Sequence, residues 1–258
     1  MGELDFENVV FGYGGNSLFN GFSASFAKEQ ISCIVGPNGC GKSTLAKLAM
    51  GLMKPASGRV LIQGRDVASL DSRERARRLG VLVQQQEAPM MTVRELTACG
   101  RFPHHGPLSR LNEADARCID ETLSLAGVYD LRDRPLRSLS GGQRQRARMA
   151  MVLAQDTPVV LLDEPTSFMD AAACFDMMRL VRQARERGKT IIAVIHDLNL
   201  ALSVADSVFV MERGHLAAQG APGEAAVHSA IEQSFGVRLE RAETPSGVAW
   251  VPFERADA

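Results

Sequence analysis

The sequence predicts an α/β protein on a parallel sheet, with an antiparallel β region near its start and a helical subdomain inserted in its middle. Three observations predict this. The segments "PVVLLDE", "TIIAVIHD" and "SVFVM" are apolar runs separated by helical stretches, the pattern of a parallel sheet buried on both faces. Residues 3–35 alternate short strand-like segments with Gly-rich turns such as "FGYGGNS". Residues from about 92 to 155 read as mostly helical. At 258 residues, one domain spanning 1–258 is the expectation.

The elements follow in order. After the Gly-rich turns, "ISCIV" is a β-branched run suited to a buried strand. From Lys42 to Leu52 the pattern is helical, and "GRVLIQG" returns to strand. "SRERARRL" predicts a polar helix before the strand "GVLVQ". Thr92 with Glu95 has the spacing of a capping box. Asn112 opens the amphipathic "EADARCIDETLSLAG", which a glycine ends. A C-terminal extension, about 225–258, reads as helix and then strand and carries no recognisable chemistry.

Composition narrows the function classes. A hydrophobic content of 45% with 23% charged residues is that of a folded globular chain. The formal net charge of -1 gives no reason to expect nucleic acid as a partner, although the positive charge is almost all arginine, which suits phosphates and carboxylates. Five scattered cysteines (Cys33, Cys40, Cys99, Cys118, Cys174) form no Cys-x-x-Cys pair and indicate neither a disulfide framework nor a zinc site, so a reducing cytosol is expected. The start shows no leader pattern, and no apolar run approaches the roughly 18 residues that span a bilayer. Service to a membrane would go through a partner chain.

"GPNGCGKST" fits G-x-x-x-x-G-K-[ST] between a predicted strand and a predicted helix, the context of a phosphate loop. Gly36, Gly39 and Gly41 permit backbone turns that aim successive N–H groups at a polyphosphate, and Pro37, Asn38 and Cys40 complete the loop. Lys42 would reach the β- and γ-phosphates, Ser43 would ligate Mg²⁺ and Thr44 would contact the α-phosphate. "VVLLDE" delivers Asp163 and Glu164 at a strand end. Asp163 would hold the Mg²⁺ through its water shell, and Glu164 would accept a proton from the attacking water. A lone histidine at a strand end is usually a surface residue, but His196 ends the run "TIIAVIH" beside Glu164 in a parallel sheet, where it would sense the γ-phosphate. The core is therefore expected to be that of a phosphate-loop NTPase (RecA-like).

A second glycine-bearing helix start lies in the helical region. Ser140, Gly141, Gly142 and Gln143 of "LSGGQ" would present a helix dipole and N–H groups to an anion, without a phosphate-loop lysine. One nucleotide per chain leaves this start for the phosphate of a second copy. A head-to-tail homodimer, with each ATP between the phosphate loop of one subunit and the Ser140 helix of the other, is the expectation.

"GPNGCGKST", "LSGGQ", "VVLLDEPTS" and "IAVIHD", in this order and spacing, resemble the ATP-binding cassette (ABC) ATPases over about residues 3–225. The resemblance implies that Tyr13 stacks on adenine, the alternative being a core aromatic. It implies that Gln84, or Gln85 in the shifted register, touches Mg²⁺ and water and answers to a membrane partner. It also implies that Asp170 contacts the opposite subunit, although "SFMD" places the bulkier Phe168 and Met169 near that seam. Cys40 replaces a small residue at a helix N-terminus, a position that favours a reactive thiol.

Within the family, "VRELTACGRFPHHGPLSRLNEAD" resembles the importer ATPases for ferric siderophores, haem and cobalamin, which share "GR-x-P". Integral-membrane permease subunits, and indirectly a substrate-binding protein, are the implied partners, with a peripheral location on the cytoplasmic face of the membrane. Arg101, Phe102 and Pro103 fit a docking knob, and His104 with His105 fits a loop or interface better than a metal site. A DNA-repair ATPase would carry a long heptad insertion, and the interval here is about a hundred residues without heptads. An exporter half would normally have its own membrane spans. A cytosolic iron–sulfur assembly ATPase, or an importer for a metal ion or oxyanion, remains the alternative.

Overall fold

The computed structural model of the chain describes residues 2–83, 89–105, 110–167, 169–244 and 247–254. In chain order come β1 (Leu4–Tyr13), β2 (Asn16–Phe26), β3 (Ile31–Val35), α1 (Lys42–Ala49), β4 (Ser57–Ile62), β5 (Arg65–Asp66), α2 (Ser72–Ala76) and β6 (Leu79–Leu82). Then follow α3 (Val93–Cys99), α4 (Glu113–Leu125), α5 (Gly141–Ala154), β7 (Val159–Asp163), α6 (Ala171–Glu186) and β8 (Thr190–Val194). The chain closes with α7 (Leu198–Val204), β9 (Ser207–Glu212), β10 (His215–Gly220), α8 (Ala225–Phe235), β11 (Val237–Thr244) and β12 (Gly247–Glu254). The fold is that of a phosphate-loop NTPase, and its residues group into two compact units.

The first unit joins Met1–Ser69 to Thr190–Ala258. Its antiparallel sheet runs β2-β1-β4-β5. The expected short strands are in fact ten and eleven residues long, because register shifts between Phe6, Val9 and Val10 let one ribbon bend without breaking. Phe6 meets Phe22 and Phe26 edge to face, and Phe26 stacks on Phe209 at 4.3 Å between ring centres. These rings tie the antiparallel sheet to the strands that carry the phosphate loop. β3 pairs in parallel with β8 on one side and β9 on the other, and every residue of β3 and β8 is buried. This is why those segments are apolar apart from Ser32 and Thr190 rather than alternating. The C-terminal hairpin β11–β12 is braced on α8, where the His228 ring meets Trp250 edge to face at 3.9 Å.

The second unit, Leu70–Lys189, contains the parallel pair β6–β7 and the helices α2 to α6. The expected helical stretch, about 92–155, lies inside it. Thr92 and Asn112 each complete a capping box, with Glu95 and Asp115 respectively. The polar helix expected from "SRERARRL" stops after Ala76, because Leu79 is already committed to β6 and buried. Its Asp71–Glu74 capping box supports a single turn and a half. Among the described residues no helix is long and apolar enough to cross a membrane.

Candidate functional site

The phosphate loop in the first unit is shaped by backbone that tolerates no side chain. At Gly36, a Cβ would stand 2.3 Å from the Met211 carbonyl oxygen. Gly41 sits at φ 112, and a Cβ there would be 2.7 Å from the Phe19 ring. The loop closes with the Cys40 N–H donating to the Pro37 carbonyl at 3.3 Å, and Asn38 and Gly39 are exposed at its tip.

α1 then begins with no side-chain cap and no acidic residue in its first turn. By contrast, α2 to α7 each have an N-cap side chain bonded to a first-turn N–H. An uncapped helix start in a glycine loop is an anion cradle. Lys42 is 6% exposed, and its Nζ donates to the carbonyls of Gly36 at 2.7 Å and Pro37 at 3.0 Å. The ammonium is thus buried within the loop it serves. Ser43 is exposed, while Thr44 is buried with its Oγ1 3.1 Å from the Tyr13 hydroxyl.

Tyr13 ends β1 and is 47% exposed, so it is not a core aromatic. Its edge contact with Phe11 and hydroxyl contacts to Thr44 and Met53 fix the ring without covering it. Cys40, in contrast, is 3% exposed, with its sulfur 3.8 Å from Lys42 Nζ. The reactive thiol expected from its position is overturned by burial. His196 is exposed just past β8, and the next residue, Asp197, caps α7 through the Leu200 N–H.

The second unit carries the acidic pair. Asp163 is the last residue of β7, and Glu164 follows with φ 54, a left-handed backbone rare for a residue with a Cβ. Ser167 Oγ donates to Glu164 Oε2 at 2.8 Å. Asp170 Oδ1 accepts from the Ala173 N–H at 2.8 Å and so caps α6. Gln84, Gln85 and Phe168 lie outside the described residues.

The start of α5, read from the sequence only as an anion-facing helix start, is capped by its own side chains. Ser140 Oγ accepts from the Gln143 N–H at 3.3 Å, and Gln143 Oε1 accepts from the Ser140 N–H at 3.1 Å, a capping box. Ser-x-x-Gln is its signature. Ser140 therefore already satisfies one of the helix's own donors, and the Gly141 and Gly142 N–H groups lie outside the capping box. A Cβ at Gly142 would come within 3.1 Å of the Ala173 Cβ and 3.7 Å of Met169 Cε. Met169 thus lies against the start of α5 within its own subunit.

The segment expected to form a docking knob divides in two. Arg101 is an internal brace: its Nε donates to Asp115 Oδ1 at 2.9 Å and its guanidinium to the Ala154 carbonyl at 2.7 Å. His105 Nε2 lies 2.8 Å from the other Asp115 oxygen, and His104 Nε2 contacts the Gln155 carbonyl. Only Phe102, 61% exposed, projects as an apolar tip. Burial opposes the Asp115 charge, but hydrogen bonds from the Asn112 backbone, Arg101 and His105 outweigh it and hold the carboxyl down to about 2. Sequence reading missed this network, because Asp115 stands fourteen residues from Arg101 and its only local signal is the Asn112–Asp115 capping-box spacing.

The residues present fit a nucleoside triphosphate: a glycine cradle, an uncapped helix start, a buried ammonium and an uncovered aromatic. The hydroxyl of Ser43 and the carboxylate of Asp163 are hard oxygen donors of the kind that suit Mg²⁺. Comparison with known proteins agrees on the class. The family model described as "ABC transporter" matches residues 19–167. The chain belongs to the ABC transporter family and is one of its ATPases. It is 39% identical to the ferric enterobactin transport ATP-binding protein FepC of Escherichia coli (strain K12), over 96% of this chain and 91% of that protein. It is 35% identical to the hemin import ATP-binding protein HmuV of Rhodopseudomonas palustris (strain BisB18), covering 100% of this chain and 97% of that one. Among solved structures, the dimeric bacterial ABC transporter cassette MJ0796 superposes with a TM-score of 0.75 at 26% identity, covering 86% of this chain and 99% of that one.

Proposed function

We propose that this chain is the ATP-binding subunit of an importer for an iron chelate or haem, working as a homodimer on the cytoplasmic face of a membrane beneath two permease subunits. The observation that carries the substrate class is near-complete coverage by relatives named for siderophore and hemin import. The exposed Phe102 tip is the surface offered to the permease, and a substrate-binding protein would act through that permease. Cobalamin is the third cargo class of the importer ATPases that the "GRFP" segment resembles.

In this reading the loop N–H groups and Lys42 bind the triphosphate, and Tyr13 stacks on the base. Ser43, Asp163 and Gln84 hold Mg²⁺, which when bound neutralises charge on the β- and γ-phosphates. Glu164 takes the proton of the attacking water, and His196 orients on the γ-phosphate side. Gly141 and Gly142 of one subunit meet the phosphates bound by the other, with Ser140 and Gln143 framing them and Asp170 at the seam. Closure therefore needs the γ-phosphate, and hydrolysis releases the halves.

The test is to co-purify the chain with its permease and assay ATP hydrolysis in lipid nanodiscs. Stimulation by a binding protein loaded with a ferric siderophore or haem is expected. Stimulation only by one loaded with a metal ion or oxyanion would overturn the substrate class.

A further inference from the structure

Glu164 leaves β7 in a left-handed turn, and a carboxylate there could adopt several side-chain rotamers. The turn that follows returns Ser167 to it. Ser167 N–H donates to the Glu164 carbonyl at 3.2 Å, and Ser167 Oγ donates to Glu164 Oε2 at 2.8 Å. The same turn continues through the Met169 N–H, which donates to the Thr166 carbonyl, to Asp170 at the start of α6. Cys174 Sγ, 3.8 Å from the Thr166 carbonyl and 3.9 Å from that of Met169, fastens it to α6.

We propose that Ser167 is a positioning residue: its hydroxyl selects the rotamer of the Glu164 carboxylate and ties it to the turn that ends at the dimer-facing Asp170. The backbone hydrogen bond forms the turn whether or not the hydroxyl is present, so the hydroxyl's specific contribution is orientation of the carboxylate. Pre-setting that orientation lowers the ordering left for the transition state. The proposal rests on the reading of Glu164 as the general base.

Two measurements test it. In steady-state ATP hydrolysis, Ser167→Ala is expected to lower kcat about tenfold while KM and ATP affinity stay within about twofold, and Ser167→Thr, which keeps the hydroxyl, recovers most of the rate. In urea unfolding of the nucleotide-free protein, Ser167→Ala is expected to raise the unfolding constant about fivefold, but to leave it unchanged when Glu164 is already alanine. Wild-type kcat in Ser167→Ala, or an equal unfolding penalty in both backgrounds, overturns the proposal. If Glu164→Gln kept full activity, the assignment of the base would fail instead, while the unfolding cycle would still report the contact.

Discussion

Replacing Asp115 with asparagine tests the brace behind the Phe102 tip. The Asp115 side chain is only 3% exposed and is approached by Arg101 Nε at 2.9 Å, His105 Nε2 at 2.8 Å and the Asn112 N–H at 2.9 Å. An asparagine fills the same volume but leaves the Arg101 cation, itself 13% exposed, without its counter-charge. Breaking a buried pair from one side costs about 3 kcal/mol. The pH dependence has a definite sign. The folded carboxyl titrates at about 2, below its ordinary 3.8. Its contribution is therefore complete above pH 4 and disappears as pH falls toward 2. That part amounts to no more than about 2.5 kcal/mol at 1.36 kcal/mol per unit. Urea unfolding of both proteins at pH 7, 5, 4 and 3 gives the difference in stability at each pH. A constant gap from pH 7 to 5 that narrows below pH 4 is expected. A gap below about 1 kcal/mol at pH 7, or one that widens in acid, would refute the reasoning.

Two further outcomes follow from the phosphate loop. Gly41→Ala places a methyl 2.7 Å from the ring of Phe19, which is fully buried and has no room to yield, so it is expected to cost about 2 kcal/mol and to abolish ATP binding; wild-type unfolding and nucleotide titration curves would contradict this. Brief maleimide labelling of the native protein at pH 8, read by peptide mass, is expected to spare Cys33 and Cys40 and to modify Cys174. Burial, with a smaller push from the Asp206 charge, raises the Cys33 thiol to about 12, and Cys40 is covered by the loop. Early modification of Cys40 would show the loop to be open, and early modification of Cys33 would show β3 to be less buried than it is here.

Much of this molecule could be read from its sequence, for reasons visible in particular residues. "ISCIV" and "TIIAV" are apolar apart from Ser32 and Thr190 because both become strands in which every residue is buried. "GPNGCGKST" was legible because its glycines answer to local geometry: the Met211 carbonyl and the Phe19 ring leave no space for a Cβ. What escaped was whatever depends on which side chain meets which. Arg101 looked like a surface knob, since nothing in "GRFP" says that Asp115, fourteen residues on, will bury its guanidinium. Cys40 looked reactive because helix position is written in the sequence and burial is not. The capping role of Ser140 was written in its spacing to Gln143, but the same residues also suggested anion binding, and both uses draw on the same orphan N–H groups.

The central claim is that two copies close around ATP, each phosphate loop meeting the α5 start of the other. Light scattering on the size-exclusion peak of Glu164→Gln, run with and without MgATP, tests it most directly. The account predicts twice the monomer mass with MgATP, reverting to monomer when Gly142→Asp is added to block the α5 start. A monomer in MgATP, or a dimer indifferent to both nucleotide and Gly142, would contradict it.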